Sequence, residues 1–109
     1  MSLPIEDTIA ELSNSDKPLL SSRLVELSGL NHEETELLEQ SWALIKPERR
    51  RQIVYRLVEL AENNFELDFN NIFIICLKDQ DADVRSKAIE GLWESEETYL
   101  LKPLIDLLN

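Results

Sequence analysis

The chain has 109 residues, of which 22 are acidic and 11 are basic, so its formal net charge is -11 at pH 7. This balance argues against binding a nucleic-acid backbone or an anionic membrane surface, since proteins contact both mainly through Lys and Arg. A hydrophobic fraction of 43% is enough to build a folded core, and the length predicts a single domain.

Leucine at helical spacing, with only two glycines and no alternating apolar pattern, predicts an all-α chain of seven helices. The first helix spans about 4–12. The second begins after a polar break, with Asp16 as its cap and Pro18 near its start. Asn31 caps the third helix, where Glu34 completes a capping box. The side chains expected to face the core from these helices are Ile5, Ile9, Leu12, Leu20, Leu24, Leu27, Leu37, Leu38, Ser41, Trp42 and Ile45.

The second half of the chain continues this pattern. Pro47 opens the fourth helix. The fifth is predicted over about 66–77, a β-rich segment that would also suit a buried strand if a partner strand existed elsewhere. The sixth helix starts at Gln80 or Asp81, and Ser95 caps the seventh. The inward-facing residues expected here are Ile53, Val54, Leu57, Val58, Ala61, Val84, Ala88, Ile89 and Leu92.

The single cysteine and the single histidine are not placed for chemistry. Cys76 lies in the apolar run 72–77, which predicts a buried thiol rather than a nucleophile, because a reactive cysteine needs a basic and partly exposed setting. One cysteine forms no intramolecular disulfide, in keeping with a reducing cytoplasm. His32 has no second ligand at metal spacing, so we expect a solvated side chain in the first turn of a helix. The sequence predicts no metal site and no cofactor.

The helices recur in pairs with a period of about 30 to 35 residues, which is typical of helical solenoids. Three repeats are predicted over about 4–30, 31–64 and 65–94. A half repeat over 95–109 follows them in the same domain.

One of these repeats resembles a known family. Residues 77–85, Leu-Lys-Asp-Gln-Asp-Ala-Asp-Val-Arg, followed by Ala88 and Leu92, resemble the second half of a HEAT repeat of the bacterial, phycobilin-lyase type. The two earlier repeats resemble it only in apolar spacing, and 97–109 resembles the first helix of a further repeat. The resemblance implies an armadillo-like α-α superhelix of roughly three and a half antiparallel helix pairs.

The resemblance also implies a polar ladder, in which a loop Asp and an Arg of the second helix tie neighbouring repeats together. Asp79 and Arg85 match those positions, and Arg50 matches the Arg position one repeat earlier. The ladder is expected to join at most these three residues, with a structural role. The alternative for Arg85 is an exposed helix charge.

The chain stops at Asn109, where the second helix of a repeat would normally follow. We expect a fragment of a longer array, since solenoids usually close with a polar capping repeat. The alternative is that the apolar face of the last helix pairs with another molecule, including a second copy of the chain.

In solenoids the second helix of each pair lines the concave surface, which commonly binds partners. The exposed positions predicted there form the candidate binding face: Arg51, Tyr55, Glu59, Lys87, Glu90, Trp93 and Glu94. A partly exposed Tyr or Trp among charges is typical of a protein-binding patch. Trp93 would equally suit the core, because it adjoins Leu92.

The run Arg49-Arg50-Arg51, supported by Lys46 and Arg56, is the one basic cluster. Successive residues of a helix point about 100 degrees apart, so these arginines do not form one flat patch. We expect solvated helix charges, balanced by neighbouring glutamates, rather than an anion site.

No catalytic constellation stands out, because the acidic pairs lie at helix starts, where capping and the helix dipole explain them. We therefore expect a non-enzymatic scaffold or adaptor that binds another protein, one with a basic surface. The alternative is a phycobilin lyase-like HEAT protein that handles bilin chromophores. A DNA-repair HEAT domain of the alkylpurine glycosylase kind would need a basic concave face, against the acidic balance.

Overall fold

Six α-helices make up the part of the chain that the computed structural model describes, residues 4–64 and 66–93. No strand occurs among these residues, so the all-α class is confirmed and the strand alternative for the fifth helix is wrong. The described residues form six α-helices rather than the seven predicted for the chain, and the expected seventh helix, over 95–109, lies outside the described residues. The helices are α1 (Pro4–Ser13), α2 (Ser21–Leu24, continued by a 3-10 turn over Val25–Leu27), α3 (His32–Trp42), α4 (Pro47–Asn63), α5 (Asn70–Cys76) and α6 (Ala82–Trp93).

Three helix starts follow the predicted capping chemistry. At α3 the Asn31 side chain accepts from the Glu34 amide at 2.8 Å, and the Glu34 carboxylate accepts from the Asn31 amide at 3.0 Å, a complete capping box. Pro47 occupies the first turn of α4. At α6 the Asp81 Oδ1 accepts from the amides of Asp83 and Val84. Each cap satisfies amides that have no partner within the helix.

The predicted start of the second helix is wrong. Asp16 does not cap it: the Asn14 Oδ1 accepts from the Asp16 amide at 3.0 Å, and this turn competes with helix formation. The chain stays irregular until Ser21, where no side chain caps the helix. Leu20, expected in the core, therefore lies outside the helix and is 47% exposed.

α5 begins four residues later than predicted, because the segment before it is tied to another loop. The Asp68 amide donates to Ser28 Oγ at 2.8 Å, and the Asp68 carbonyl accepts from the Gly29 amide at 2.9 Å. Gly29 has a φ of +64°, a left-handed conformation that favours glycine. The Asp68 Oδ1 then accepts from the Asn70 amide at 3.0 Å, so the helix starts at Asn70.

The helices pack in two rows. α1 packs on α3 and α3 packs on α5, while α2 packs on α4 and α4 packs on α6. Contacts between α1 and α2, and between α5 and α6, join the rows. Among the residues expected to face inward, Leu37, Ser41, Ala61 and Ile89 are only partly buried and Leu20 is exposed. The rest are buried, as predicted: Ile5, Ile9, Leu12, Leu24, Leu27, Leu38, Trp42, Ile45, Ile53, Val54, Leu57, Val58, Val84, Ala88 and Leu92.

No helix in the described ranges is long and apolar enough to span a membrane.

The contact between α5 and α6 depends on a glycine. A Cβ added at Gly91 would come within 2.6 Å of the Phe73 ring, and Phe73 is itself buried and packed edge-on against Phe69. The two helices therefore approach each other more closely than any residue with a side chain at position 91 would allow.

We predict that Gly91→Ala destabilises the protein. Overpacking of this kind costs about 1–3 kcal/mol, which exceeds the roughly 1 kcal/mol that Ala gains over Gly inside a helix. Urea unfolding followed by circular dichroism measures the change. In a Phe73→Leu background the same substitution should cost less, since the ring is gone. A more stable Gly91→Ala variant would show that the contact is not tight.

Candidate binding face on α4 and α6

The Asp79 carboxylate, in the loop between α5 and α6, is the most buried charged group of the candidate ladder, with only 2% of the side chain exposed. Its Oδ2 accepts from the Trp42 indole N–H at 2.7 Å and lies 3.0 Å from Arg50 Nε. The Arg50 N–H does not point at that oxygen, so this contact is an ion pair without hydrogen-bond alignment. Arg50 Nη1 instead donates to the Ile45 carbonyl at 2.8 Å.

Arg85 meets the same residue at a different atom. Its Nη1 donates to the Asp79 backbone carbonyl at 2.6 Å, and the Asp79 Oδ1 accepts from the Asp81 amide at 2.8 Å. The structure thus brings Arg50, Asp79 and Arg85 together, with Arg85 on the carbonyl rather than the carboxylate. Sequence reasoning missed Trp42 as a partner, although a buried indole N–H usually needs an acceptor.

Arg50 and Asp79 place α4 against α6, and side chains of the candidate binding face meet across that contact. The Lys87 ammonium lies 4.9 Å from the centroid of the Tyr55 ring, and Lys87 Nζ lies 2.7 Å from Glu90 Oε2. At one end of the face, Arg51 forms an ion pair with Asp81, with 3.0 Å between Arg51 Nε and Asp81 Oδ2. The face thus combines one aromatic ring, which contacts the Lys87 ammonium, with two ion pairs.

The ion pairs of the face favour the charged forms of Lys87, Arg51 and Asp81. The hydrogen bond to Glu90 raises the pKa of Lys87, and the hydrogen bond to Asp81 raises the pKa of Arg51. Desolvation opposes ionisation of Asp81, but its bonds to Arg51 and to backbone amides outweigh that effect and lower its pKa.

Two aromatic side chains of the candidate face are exposed to solvent. Tyr55 is 45% exposed and Trp93, at the end of α6, is 54% exposed, so the Trp93 ring lies outside the core. Glu59 is exposed one turn after Tyr55 on α4. Glu94 lies outside the described residues.

The expectation of solvated arginines is wrong for Arg49 and Arg50, which are 5% and 8% exposed. Arg49 Nε donates to the Leu12 carbonyl at 2.7 Å, so this guanidinium is held against the end of α1. The three successive arginines point in different directions, as expected, but Arg49 and Arg50 point into the protein rather than into water.

The described ranges contain no group of three or more His, Cys, Asp or Glu side chains that could hold a metal ion. His32 is exposed in the first turn of α3, as predicted, and pairs with Glu36 at 3.0 Å. Cys76 is fully buried, also as predicted, and burial raises the pKa of its thiol far above the ordinary value. Such a thiol is a poor nucleophile at neutral pH.

Comparison of the chain with protein-family models, with curated proteins and with solved structures gave no significant match in any of the three.

We predict that Asp79→Ala costs about 3–5 kcal/mol of unfolding free energy, because it leaves the buried Arg50 without its counter-charge. Asp79→Asn should cost less, since the amide oxygen still accepts from Trp42. Urea unfolding monitored by tryptophan fluorescence gives both values. Asp16→Ala, at an exposed loop position, is the control and should stay within about 0.5 kcal/mol of the native protein. A similarly small effect of Asp79→Ala would contradict the structural role of this carboxylate.

We also predict that Cys76 is protected from a thiol reagent such as Ellman's reagent in native buffer and reacts fully in urea. The thiol is inaccessible and un-ionised in the folded state, so the reagent reacts with it only after local or global unfolding exposes it. Rapid labelling of the native protein would show that the packing around α5 is looser than described.

Proposed function

We propose that the chain is a non-enzymatic helical-repeat module that binds another protein through the face formed by α4 and α6. The observation that carries the proposal is the exposed Tyr55 ring, which lies 4.9 Å from the Lys87 ammonium, itself paired with Glu90. Rigid aromatic side chains surrounded by polar groups dominate the energetics of many protein interfaces.

A HEAT-like superhelical arrangement is part of the proposal. The alternation of contacts supports it, since α1, α3 and α5 pack in one row and α2, α4 and α6 in the other. Side-chain contacts at a constant separation support it as well. Arg49 with Leu12, Arg56 with Leu19, and Trp42 with Asp79 are each 37 positions apart. A constant offset is expected when similar helix pairs stack on one another.

The Tyr55 ring already contacts Lys87 in the absence of a partner. Its contact with Lys87, itself paired to Glu90, removes part of the conformational entropy that binding would otherwise cost. Trp93, exposed on the same helix as Lys87 and Glu90, adds a second aromatic surface. Glu59 is one turn from Tyr55 and supplies the polar rim that typically surrounds such anchors.

The partner in this proposal has a basic surface. The net charge of -11 accelerates the encounter with a positively charged protein and opposes binding to nucleic acids and anionic membranes. A cytoplasmic location belongs to the same proposal, supported by the single buried and unpaired cysteine. Self-association through the segment after α6 is an additional route to a partner.

The proposal is tested with a displayed library of lysine- and arginine-rich peptides selected on the purified chain. For a selected peptide, Tyr55→Ala and Trp93→Ala should each weaken binding about tenfold or more, because both anchors lose their buried contact area. Leu44→Ala, which shortens an equally apolar and more exposed side chain outside the face, is the matched control and should leave binding unchanged. Isothermal titration calorimetry provides the affinities, and circular dichroism checks that each variant folds.

Affinity for such a peptide should also fall as salt is added, since part of the attraction is long-range and screened. Affinity that is unchanged between low and high salt would remove the basic partner from the proposal. Affinity that is insensitive to Tyr55 and Trp93 would instead remove the α4–α6 face.

A further inference from the structure

A cleft of about 800 Å³ opens beside the candidate binding face, between α4 and the loop that joins α1 to α2. Its lining combines three arginines and one carboxylate with polar and apolar side chains: Ser15, Pro18, Leu19, Arg49, Arg51, Gln52, Tyr55, Arg56 and Glu59. A local excess of positive charge in a chain of net charge -11 needs a physical explanation.

Arg49 forms a buried side of this lining and has no counter-charge within residues 4–64 and 66–93. Its only hydrogen bond among the described residues goes to the neutral Leu12 carbonyl, and its Nη2 has no partner there. No carboxylate in the described ranges forms an ion pair with it. A buried guanidinium without a counter-charge is costly, and a nearby anion relieves that cost.

Arg56 is the second arginine whose charge is not paired in the part of the chain that the structure describes. Its Nη1 reaches only neutral acceptors at long distances, 3.5 Å to the Leu19 carbonyl and 3.3 Å to Ser21 Oγ. Arg51, in contrast, shares its charge with Asp81 at 3.0 Å. Among the described residues Glu59 is the only carboxylate in the lining, so two guanidinium groups without an ion-pair partner there face one acid.

We propose that this cleft binds a phosphate monoester. A tetrahedral dianion offers enough oxygens to accept from several guanidinium groups at once, whereas a single carboxylate is satisfied by one arginine. The cleft is much larger than a phosphate ion, and Pro18, Leu19 and Tyr55 supply surface for the group that carries the phosphate. Arg56 is the contact residue, and Arg49 contributes a fixed positive charge beneath it.

The inference does not rest on the proposed protein partner. Arg51, Tyr55 and Glu59 line the cleft and also belong to the α4–α6 face, so substitutions there would not separate the two ideas. Arg56 lines the cleft but does not belong to the α4–α6 face, so it is the residue to change. Arg49 is a poor choice for the test, because its substitution also removes the contact with α1.

The test is titration of the chain with inorganic phosphate at constant ionic strength, followed by calorimetry and by the thermal midpoint, with acetate in parallel. Phosphate should bind saturably and raise the midpoint, since a ligand that prefers the folded state stabilises it. Arg56→Gln should weaken phosphate binding about tenfold or more, and Arg56→Lys should retain part of it. Lys78→Gln, the same loss of charge at an exposed position outside this lining, should change neither.

Glucose 6-phosphate and a phosphoserine peptide, each beside its unphosphorylated form, then identify the carrier. If glucose 6-phosphate or the phosphoserine peptide binds more tightly than inorganic phosphate, the cleft also recognises the group that carries the phosphate. Equal affinity for the three ligands supports a site for the phosphate group alone. No saturable binding of any phosphate overturns the proposal. So does equal binding of acetate, or a phosphate affinity that Arg56→Gln leaves unchanged. Loss of phosphate binding with intact peptide binding by the α4–α6 face would separate this proposal from the protein-binding function.

Discussion

The contact on which this fold depends is the buried pairing of the Asp79 carboxylate with Arg50 and the Trp42 indole. One oxygen serves both partners, and these groups come from α3, from α4 and from the loop before α6. A buried carboxylate is tolerated only when its partners are in place, so this group penalises any other register of the three helices. Hydrophobic packing alone is less specific, because apolar surfaces stay in contact when they slide.

The position of α4 follows from that constraint, and α4 carries residues of both proposed surfaces. Its three successive arginines reach three different neighbours: Arg49 the end of α1, Arg50 the Asp79 loop, and Arg51 the start of α6. A single helical turn thereby fixes α4 against two helices and one loop. This places Tyr55 under Lys87 and leaves, beside it, the cleft that Tyr55 also lines together with Arg49 and Arg56.

The parts of the fold that were predicted correctly depend on neighbours in sequence. The Asn31–Glu34 capping box, the start of α4 at Pro47 and the Asp81 cap each join residues within a few positions. The start of α2 was missed because the Asn14 side chain accepts from the Asp16 amide and forms a turn, so the chain stays irregular and Asp16 does not cap the helix. The start of α5 was missed because Asp68 bonds to a loop 40 positions away. Of the candidate binding face, the exposure of Tyr55 was predictable from helical phase, but its contact with Lys87 was not.

The sequence by itself determined the helical class, the starts of α3, α4 and α6, most of the apolar stripes and the burial of Cys76, since helical periodicity and short-range hydrogen bonding decide these features. Only the tertiary structure decided which charges are buried and which are free. Arg49, Arg50, Arg51 and Arg56 have the same chemistry and lie within eight positions. Among the described residues, one is paired in the interior, one is paired at the surface, and two meet only neutral acceptors. The difference arises because their partners lie 29 to 37 positions away, where helix packing rather than local pattern sets the distance.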